Sequence, residues 1–246
     1  MRQEGDDHED RERAAPGMYH VLRTFRVILA DDHELVRAGI RRLLEDSGQV
    51  EVVAEAASGE EVVELVREHA PDAVLLDVNM PGIGGLEATR RLHALMPGIK
   101  VVVISVYGEG PLPGRMLEAG ASGYLTKGCT TDTILEALET VDRGERYLDA
   151  DVARHLALNM LPGGACNPFD RLSQREMQVA LMMLAGQRVG QIAEDMHLSA
   201  KTISTYRHRI FSKLGVNSDS ALTRLAMEHG VGEQPPGVAE GAAGSG

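Results

Sequence analysis

The chain has 246 residues, 43% of them hydrophobic, which fits two modest domains with real cores and argues against global disorder. No apolar run approaches the roughly 20 residues that a membrane span needs, and the N-terminus is charged rather than secretory. The two cysteines, Cys129 and Cys166, have neither metal-ligand spacing nor the density of a disulfide scaffold, so a cytosolic location is expected.

The net charge of −12 is divided unequally along the chain. Residues 25–150 carry 12 Lys or Arg against 22 Asp or Glu, whereas residues 171–231 carry 8 against 5. An acidic front part and a mildly basic back part predict two domains with different partners. A surplus of three positive charges does not by itself establish binding to nucleic acid.

Both ends of the chain are predicted to be disordered tails. Residues 1–24 are mostly polar and charged, without a helical or strand period. A genuine flexible tail and a translation start at Met18 are both compatible with this pattern. Residues 232–246 consist mainly of Gly, Ala, Pro and Glu, and they have almost nothing to bury.

Residues 25–145 alternate between short apolar runs and helical stretches. Five such units predict an α/β fold with a doubly wound, five-stranded parallel sheet that helices cover on both faces. The third run is continuously apolar, as expected of a strand buried on both sides. The predicted strands are 26–31, 51–55, 73–77, 100–105 and 122–126, and the predicted helices are 33–46, 58–69, 84–96, 108–119 and 130–143.

Polar residues end four of these apolar runs. The first run ends on Asp31 and Asp32, and later runs end on Asp77, Ser105 and Lys127. The C-terminal ends of parallel strands lie side by side, and open α/β sheets bind ligands there. Each residue alone has an ordinary reading as a turn former or a surface lysine. Their joint placement predicts one crevice that holds three carboxylates, a hydroxyl and an ammonium group.

The groups predicted to meet in that crevice point to phosphoryl transfer. Three clustered carboxylates are costly unless a divalent cation lies among them, and hard oxygen ligands suit Mg²⁺. Asp77 is the natural nucleophile, because carboxylates form acyl-phosphate intermediates. Lys127 and the Ser105 hydroxyl are placed to pair with phosphoryl oxygens.

These residues resemble the receiver domain of bacterial response regulators over about residues 25–145. The likeness implies a flavodoxin-like sheet, phosphorylation at Asp77, and Mg²⁺ held by Asp31 or Asp32, Asp77 and the backbone carbonyl of Asn79. It also implies that Ser105 and Tyr124 form a switch pair that moves once phosphate is bound. The motifs that carry the likeness are Ala30-Asp31-Asp32-His33, Leu76-Asp77-Val78-Asn79-Met80-Pro81-Gly82, Ser105 and Tyr124-Leu125-Thr126-Lys127-Gly128.

The competing chemistry is a phosphatase of the haloacid dehalogenase type. That class also uses an aspartyl nucleophile after a buried strand, but it normally has a second Asp two residues later. This chain has Asn79 at that position. Enzymatic turnover is therefore disfavoured, and the protein is predicted not to be an enzyme.

Residues 146–170 are predicted to be a linker with one short helix at 150–160, and residues 171–231 a compact helical domain. Ser173 with Glu176 three residues later forms a capping box that opens a helix to about 185. The helix that starts at Ser199 ends before Gly215, because glycine is the usual residue just after a helix C-terminus. The further predicted helices are 189–196, 199–214 and 218–229, with a tight turn around 197–198.

The apolar spacing of 192–214 matches a helix-turn-helix, whose second helix lies in the major groove of DNA. A protein-docking bundle with a solvated polar face is the alternative. The buried face is expected at Ile203, Ile210 and Leu214. The candidate DNA-contacting residues are Lys201, Ser204, Thr205 and His208 on one face, flanked by Thr202, Tyr206, Arg207 and Arg209.

The segments 172–176, 191–193, 198–203 and 213–216 look like the NarL/LuxR-type DNA-binding domain. The segments 81–88, 167–170 and 205–211 look closer still, and through them the chain except its tails resembles the GacA/UvrY/SirA group of two-component response regulators. That likeness implies a BarA/GacS-like sensor histidine kinase as partner, double-stranded DNA as ligand and a homodimer when phosphorylated. It further implies an activator of small regulatory RNA genes. Ala200 stands where Pro is common in the first turn, and it is still a good helix former. Departures at Ser204 and His208 leave the operator preference open, and Arg207 stands where the wider group is usually apolar.

Overall fold

The computed structural model describes residues 24–159 and 167–231 of the chain. The expectations for residues 1–23 and 232–246, including a start at Met18, lie outside the described residues. The described part contains a sheet covered by helices, then a second module of helices. These agree with the predicted fold class.

The first module is a parallel sheet with strand order β2-β1-β3-β4-β5-β6. The prediction of five strands was wrong by one, because a two-residue strand pairs with β5 inside the segment predicted as linker. So short a strand carries no recognisable period. The strands are β1 Phe25–Ala30, β2 Val50–Ala56, β3 Ala73–Asp77, β4 Lys100–Ser105, β5 Gly123–Thr126 and β6 Tyr147–Leu148.

Five helices cover the two faces of this sheet. Helices α1 and α5 bury residues such as Leu44 and Leu138 on one face, and α2, α3 and α4 bury Val62, Leu92 and Met116 on the other. Strand β3 lies between both layers and is buried throughout. The helices are α1 Glu34–Asp46, α2 Gly59–His69, α3 Gly84–Leu95, α4 Leu112–Glu118 and α5 Thr131–Asp142.

Helix α4 is shorter than the predicted 108–119 and begins at Leu112. Gly110 has a φ of 75°, which is outside the right-handed helical region, and Pro111 follows it. Helix formation therefore starts only after this pair. The residues freed from the helix form a loop after β4, beside the crevice.

The segment after α5 is fastened to the sheet. Helix α6, Ala150–Asn159, follows β6, and the Asp149 carboxylate accepts hydrogen bonds from the backbone N–H and hydroxyl of Thr126, both at 2.6 Å. His155 Nε2 accepts one from the backbone N–H of Gly110 at 3.2 Å. The first part of the predicted linker is thus packed structure. The domain boundaries proposed from the sequence remain a prediction.

The second module has a core of its own around Phe169, Met177, Ile192 and Ile203. The Ser173–Glu176 capping box is present, as predicted. The elements are a 3-10 turn at Pro168–Arg171, then α7 Gln174–Leu184, α8 Val189–Asp195, α9 Ala200–Leu214 and α10 Asp219–Glu228.

Two polar residues join the modules through backbone carbonyls. The Arg115 guanidinium on α4 donates to the carbonyl oxygens of Phe169 and Leu172, both at 2.8 Å. On the other side, the Gln178 amide on α7 donates to the carbonyl oxygens of Gly82 (3.2 Å) and Ile83. The second module is therefore docked beside the loop that follows β3.

Within residues 24–159 and 167–231, the structure contains no helix both long enough and apolar enough to cross a membrane.

Candidate functional site

Three strand ends converge as the sequence predicts. The Lys127 ammonium, just after β5, lies 2.9 Å from Asp31 Oδ2 after β1 and 3.0 Å from Asp77 Oδ2 at the end of β3. Asp31 and Asp77 are each only 3% exposed. Residues up to 96 positions apart in the chain thus share one hydrogen-bonded cluster. The convergence follows from the parallel topology, which places all three strand ends on one edge.

Burial disfavours the ionised forms of the charged groups in this cluster. Burial raises the pKa of Asp77, and the nearby Lys127 ammonium only partly offsets that rise. For Lys127, burial acts to lower the pKa, but Asp77 and Asp31 together outweigh it and the pKa is raised. Lys127 is therefore firmly charged, and Asp77 carries its negative charge at an energetic cost. A further positive charge in the pocket would relieve that cost.

Four side chains bring possible ligand atoms for a cation close together. Ligand atoms of Asp31, Asp32, His33 and Asp77 lie within 4.8 Å of one another. The donor set is dominated by carboxylate oxygens, which fits a hard divalent ion such as Mg²⁺. His33 was not among the predicted site residues. Its Nδ1 lies 2.7 Å from Asp32 Oδ1, and the Asp32 charge raises the pKa of His33.

The loop after β3 is packed tightly against Asp77. The backbone N–H of Asn79 hydrogen-bonds the Asp77 carboxylate, which acts to lower the Asp77 pKa. Gly85, in the first turn of α3, lies so close that an added Cβ would be 2.4 Å from the Asp77 carbonyl oxygen. Its backbone N–H donates to the Val78 carbonyl at 3.0 Å. Glycine at 85 is therefore required for this loop to lie where it does.

The predicted switch residues lie buried next to the pocket. Ser105 and Tyr124 are both fully buried, and burial raises the pKa of Tyr124. The Tyr124 hydroxyl donates to the backbone carbonyl of Tyr107. Tyr107 links the two parts: its backbone N–H donates to Ser105 Oγ at 3.2 Å, and its hydroxyl accepts from Asn79 Nδ2 at 2.9 Å.

Tyr107 was not predicted as a site residue. Its position two residues beyond Ser105 was the only available signal, and nothing in the sequence indicated where its ring points.

Helix α9 presents the predicted polar face to solvent. Ser199 caps its N-terminus by accepting a hydrogen bond from the Thr202 backbone N–H at 3.1 Å, and His197 adopts the left-handed turn before it, with a φ of 52°. Ile203, Ile210 and Leu214 are buried as predicted. The exposed candidate residues are Lys201, Ser204, Thr205, His208 and Arg209, and Thr202, Tyr206 and Arg207 are partly exposed.

Arg207 differs from its neighbours on this helix. Its guanidinium makes two contacts with the Asp219 carboxylate, Nη2 to Oδ2 at 2.8 Å and Nε to Oδ1 at 3.3 Å. It also lies 4.9 Å from the centre of the Phe211 ring. Arg207 is thus engaged within its own domain, whereas Lys201 and Arg209 are exposed and make no ion pair among the described residues.

Comparison with known proteins supports both modules. Residues 27–139 match the family model of the response regulator receiver domain, and residues 170–226 match that of the bacterial regulatory proteins of the luxR family. The chain is 47% identical over 206 residues to the response regulator UvrY of Escherichia coli (strain K12), covering 83% of this chain and 94% of UvrY. It is 49% identical over 207 residues to the response regulator GacA of Pseudomonas viridiflava, covering 84% and 97%.

Solved structures agree. RcsB from Salmonella enterica serovar Typhimurium, bound to promoter P1flhDC in the presence of phosphomimetic BeF3−, has a TM-score of 0.66 and 27% identity, covering 84% of this chain and 100% of that chain. A LuxR-family two-component response regulator from Aurantimonas sp. SI85-9A1 has a TM-score of 0.53 and 38% identity, covering 55% and 96%. The chain therefore belongs to the LuxR-type two-component response regulators, DNA-binding regulators of transcription with an N-terminal receiver domain.

Proposed function

We propose that Asp77 accepts a phosphoryl group from a sensor histidine kinase, and that phosphorylation controls DNA binding by α9. The observation that carries this proposal is the Lys127 ammonium bridging Asp31 and Asp77 at 2.9 and 3.0 Å. A carboxylate oxygen of Asp77 attacks phosphorus, the bond from phosphorus to the kinase imidazole breaks, and the imidazole nitrogen takes a proton. Lys127 is positioned to pair with a phosphoryl oxygen as charge develops.

Asp31, Asp32 and Asp77, with the backbone carbonyl of Asn79, would hold Mg²⁺. The fit rests on the three carboxylates, two of them buried, whose charge exceeds what Lys127 neutralises. When bound, the ion supplies charge neutralisation for the approaching phosphoryl group. His33, exposed and paired with Asp32, is placed at the rim rather than in the oxygen set.

Phosphorylation would change the conformation outside the pocket through Ser105, Tyr107 and Tyr124. A phosphoryl group adds roughly two negative charges and three acceptor oxygens. Ser105 carries a buried hydroxyl at the end of β4, and its reorientation toward those oxygens would disturb the hydrogen bond that it accepts from the Tyr107 backbone N–H. Since Tyr124 also binds Tyr107, the β4–α4 loop would shift with it.

The output is binding to double-stranded DNA as a phosphorylated homodimer. Lys201, Ser204, Thr205 and His208 would face the major groove, with Thr202, Tyr206 and Arg209 near the phosphates. Arg207 would orient α10 through Asp219 rather than reach DNA. Following the resemblance to the GacA/UvrY/SirA group, we further infer a BarA/GacS-like sensor histidine kinase as partner, genes of small regulatory RNAs as targets, and the cytoplasm as the place of action.

The test uses the full chain with Mg²⁺ and acetyl phosphate, comparing wild type with Asp77→Asn. We expect labelling, dimerisation and retention of a promoter fragment to rise together in wild type only. Equal labelling of both proteins would exclude Asp77 as the acceptor. Labelling without a change in DNA retention would separate the two domains functionally. Release of many phosphates per molecule within minutes would instead indicate a hydrolase.

A further inference from the structure

The last residue of β5 is held by a side chain instead of by a neighbouring strand. Strand β6 ends at Leu148, and the next residue, Asp149, binds Thr126 through its carboxylate. Its Oδ2 atom accepts from both the backbone N–H and the hydroxyl of Thr126, each at 2.6 Å. Hydrogen bonds to a carboxylate are roughly twice as strong as neutral ones, so this contact fixes the end of β5.

The backbone of Asp149 explains why its side chain takes this place. Its N–H donates to the Tyr124 carbonyl at 3.1 Å, which continues the hydrogen bonding between β5 and β6. Its carbonyl, however, accepts from the Ala153 N–H at 2.8 Å in the first turn of α6. The carbonyl is directed into the helix, and the carboxylate binds Thr126 in its stead.

Helix α6 holds Asp149 in position. Val152 is fully buried in the receiver core, and His155 accepts a hydrogen bond from the Gly110 N–H at 3.2 Å. Asp149 makes no ion pair with any residue that the structure describes, so its carboxylate is not drawn toward a cation. A packed segment therefore presents this carboxylate to Thr126.

Lys127 follows Thr126 directly. Its backbone N–H donates to the Ser105 carbonyl at 2.6 Å on the β4 side, while Asp149 binds Thr126 on the β6 side. From this backbone position the Lys127 ammonium reaches the two carboxylates of the cluster at 2.9 and 3.0 Å. Because a lysine side chain is flexible, its reach depends on where its backbone is held.

We propose that Asp149 is a positioning residue for phosphorylation of Asp77. By binding Thr126, it fixes the backbone from which Lys127 reaches the pocket. This inference rests on the proposed function. Asp149 lies beyond residues 27–139, the part of the chain that matches the receiver family model. The segment that leads to the DNA-binding domain thus completes the phosphorylation site.

The test compares Asp149→Leu with Asp149→Asn in the full chain. Leucine has a similar shape but no acceptor, whereas asparagine keeps an oxygen that can accept both hydrogen bonds from Thr126. We expect Asp149→Leu to slow labelling of Asp77 by acetyl phosphate and Mg²⁺ about ten- to hundredfold, since a displacement of about 1 Å is enough for such a loss. Asp149→Asn should stay within about threefold of wild type, because its acceptor is neutral and weaker.

Asp151→Leu is the matched control. Asp151 lies in the first turn of the same helix, and its exposed carboxylate pairs with Arg154 on that helix. The substitution removes an acidic group from the start of α6 without touching β5. It should label as wild type does.

A second readout separates positioning of Lys127 from a general loss of structure. In wild type the Lys127 amine is bonded to two carboxylates, so an acylating reagent should modify it slowly. Peptide mass spectrometry should show severalfold faster acylation of Lys127 in Asp149→Leu, with Lys100, at the start of β4, unchanged. Thr126→Val removes one of the two donors to Asp149 and should cause a smaller rise at Lys127.

Three results would overturn the inference. The first is a wild-type rate of Lys127 acylation in both Asp149→Leu and Thr126→Val. The second is a rise that Lys100 shares equally, which would mean that the whole domain has loosened. The third is equal loss of labelling in Asp149→Asn and Asp149→Leu. Absence of labelling in wild type overturns the proposed function and the role of Asp149 in it, whereas the acylation rates still report whether Asp149 holds Lys127.

Discussion

Asp77 combines burial with a charge that its surroundings only partly compensate. Burial raises its pKa, and Lys127, 3.0 Å away, is shared with Asp31. The charge of a residue placed in this way lowers folding stability, which favours a chemical role for Asp77 over a stabilising one. It is poised to gain from any added cation or from conversion to a neutral group.

Asp77→Asn should therefore raise the thermal unfolding midpoint of the receiver domain at neutral pH in the presence of a chelator. Since the folded-state pKa of Asp77 is raised, wild type carries the cost of its charge only above that pKa. The difference between the two proteins should shrink as pH falls through the raised pKa toward about 4, the ordinary carboxyl value. Scanning calorimetry across pH measures it. The exposed Asp46→Asn is the control, and a gap that widens with acid would contradict the assignment.

Arg209 and Arg207 should behave differently in DNA binding although they lie on one helix. Arg209 is exposed, so Arg209→Ala should weaken binding to all sequences several-fold and reduce the slope of log K against log salt by about 1. Arg207 is paired with Asp219, so Arg207→Ala should chiefly lower the stability of the helical domain. Fluorescence anisotropy at several salt concentrations separates them. If Arg207→Ala reduced the slope of log K against log salt more than Arg209→Ala does, the phosphate contact would belong to Arg207 instead.

Helix α3 fixes the position of the loop that follows β3 and Asp77. Its Gly85 lies against the backbone of Asp77 and Val78, where a Cβ would be 2.4 and 2.7 Å from their atoms. Backbone atoms cannot move aside as a flexible side chain can, so any side chain at 85 displaces the loop. The position of Asp77 thus depends on the absence of a side chain at Gly85.

Gly85→Ala should reduce the rate of Asp77 labelling by acetyl phosphate at least tenfold and destabilise the receiver by about 1–3 kcal/mol, the usual cost of overpacking. Gly98→Ala is the matched control, because nothing lies within 4 Å of its added Cβ. It should label and unfold as wild type does. Wild-type labelling by Gly85→Ala would show that the loop tolerates displacement.

The elements illustrate what a sequence can and cannot predict. The pocket was predictable because parallel strands place Asp31, Asp77 and Lys127 on one edge whatever the loops do. Strand β6 was not, because two residues carry no alternation. Tyr107 was missed for a different reason, because its contacts with Asn79, Ser105 and Tyr124 depend on the conformation of the loop after β4. That conformation is not encoded in local periodicity.

At the scale of the whole molecule, few contacts hold the domains together. Arg115 donates from a single guanidinium to three backbone carbonyls of residues 169–172, and Gln178 donates to two carbonyls at the other side. Carbonyls accept without regard to side-chain identity, so the hydrogen-bonded part of the docking depends on these two donors, beside the apolar contact of Leu181 with the receiver core. Such an interface can open at modest cost, as regulation by phosphorylation requires.

Arg115→Met should release the domains from each other. The substitution keeps the apolar stem of the side chain but removes the guanidinium hydrogen bonds to the three carbonyls, of which that of Phe169 still accepts one from the Leu172 backbone N–H. Small-angle scattering of the unphosphorylated chain should show a larger radius of gyration and a broader distance distribution. Arg143→Met, an exposed residue on the receiver, is the control. An unchanged scattering profile for Arg115→Met would show that the Arg115 hydrogen bonds are not needed to hold the two domains together.

The most direct measurement is chemical identification of the phosphorylated residue. After incubation of the full chain with Mg²⁺ and acetyl phosphate, borohydride reduces an aspartyl phosphate to homoserine, and peptide mass spectrometry locates the change. Homoserine at position 77, lost when the cation is chelated or when Lys127 is replaced by Ala, is the predicted result. Homoserine at Asp31 or Asp32 instead, or at 77 regardless of chelation, would contradict the account of this pocket.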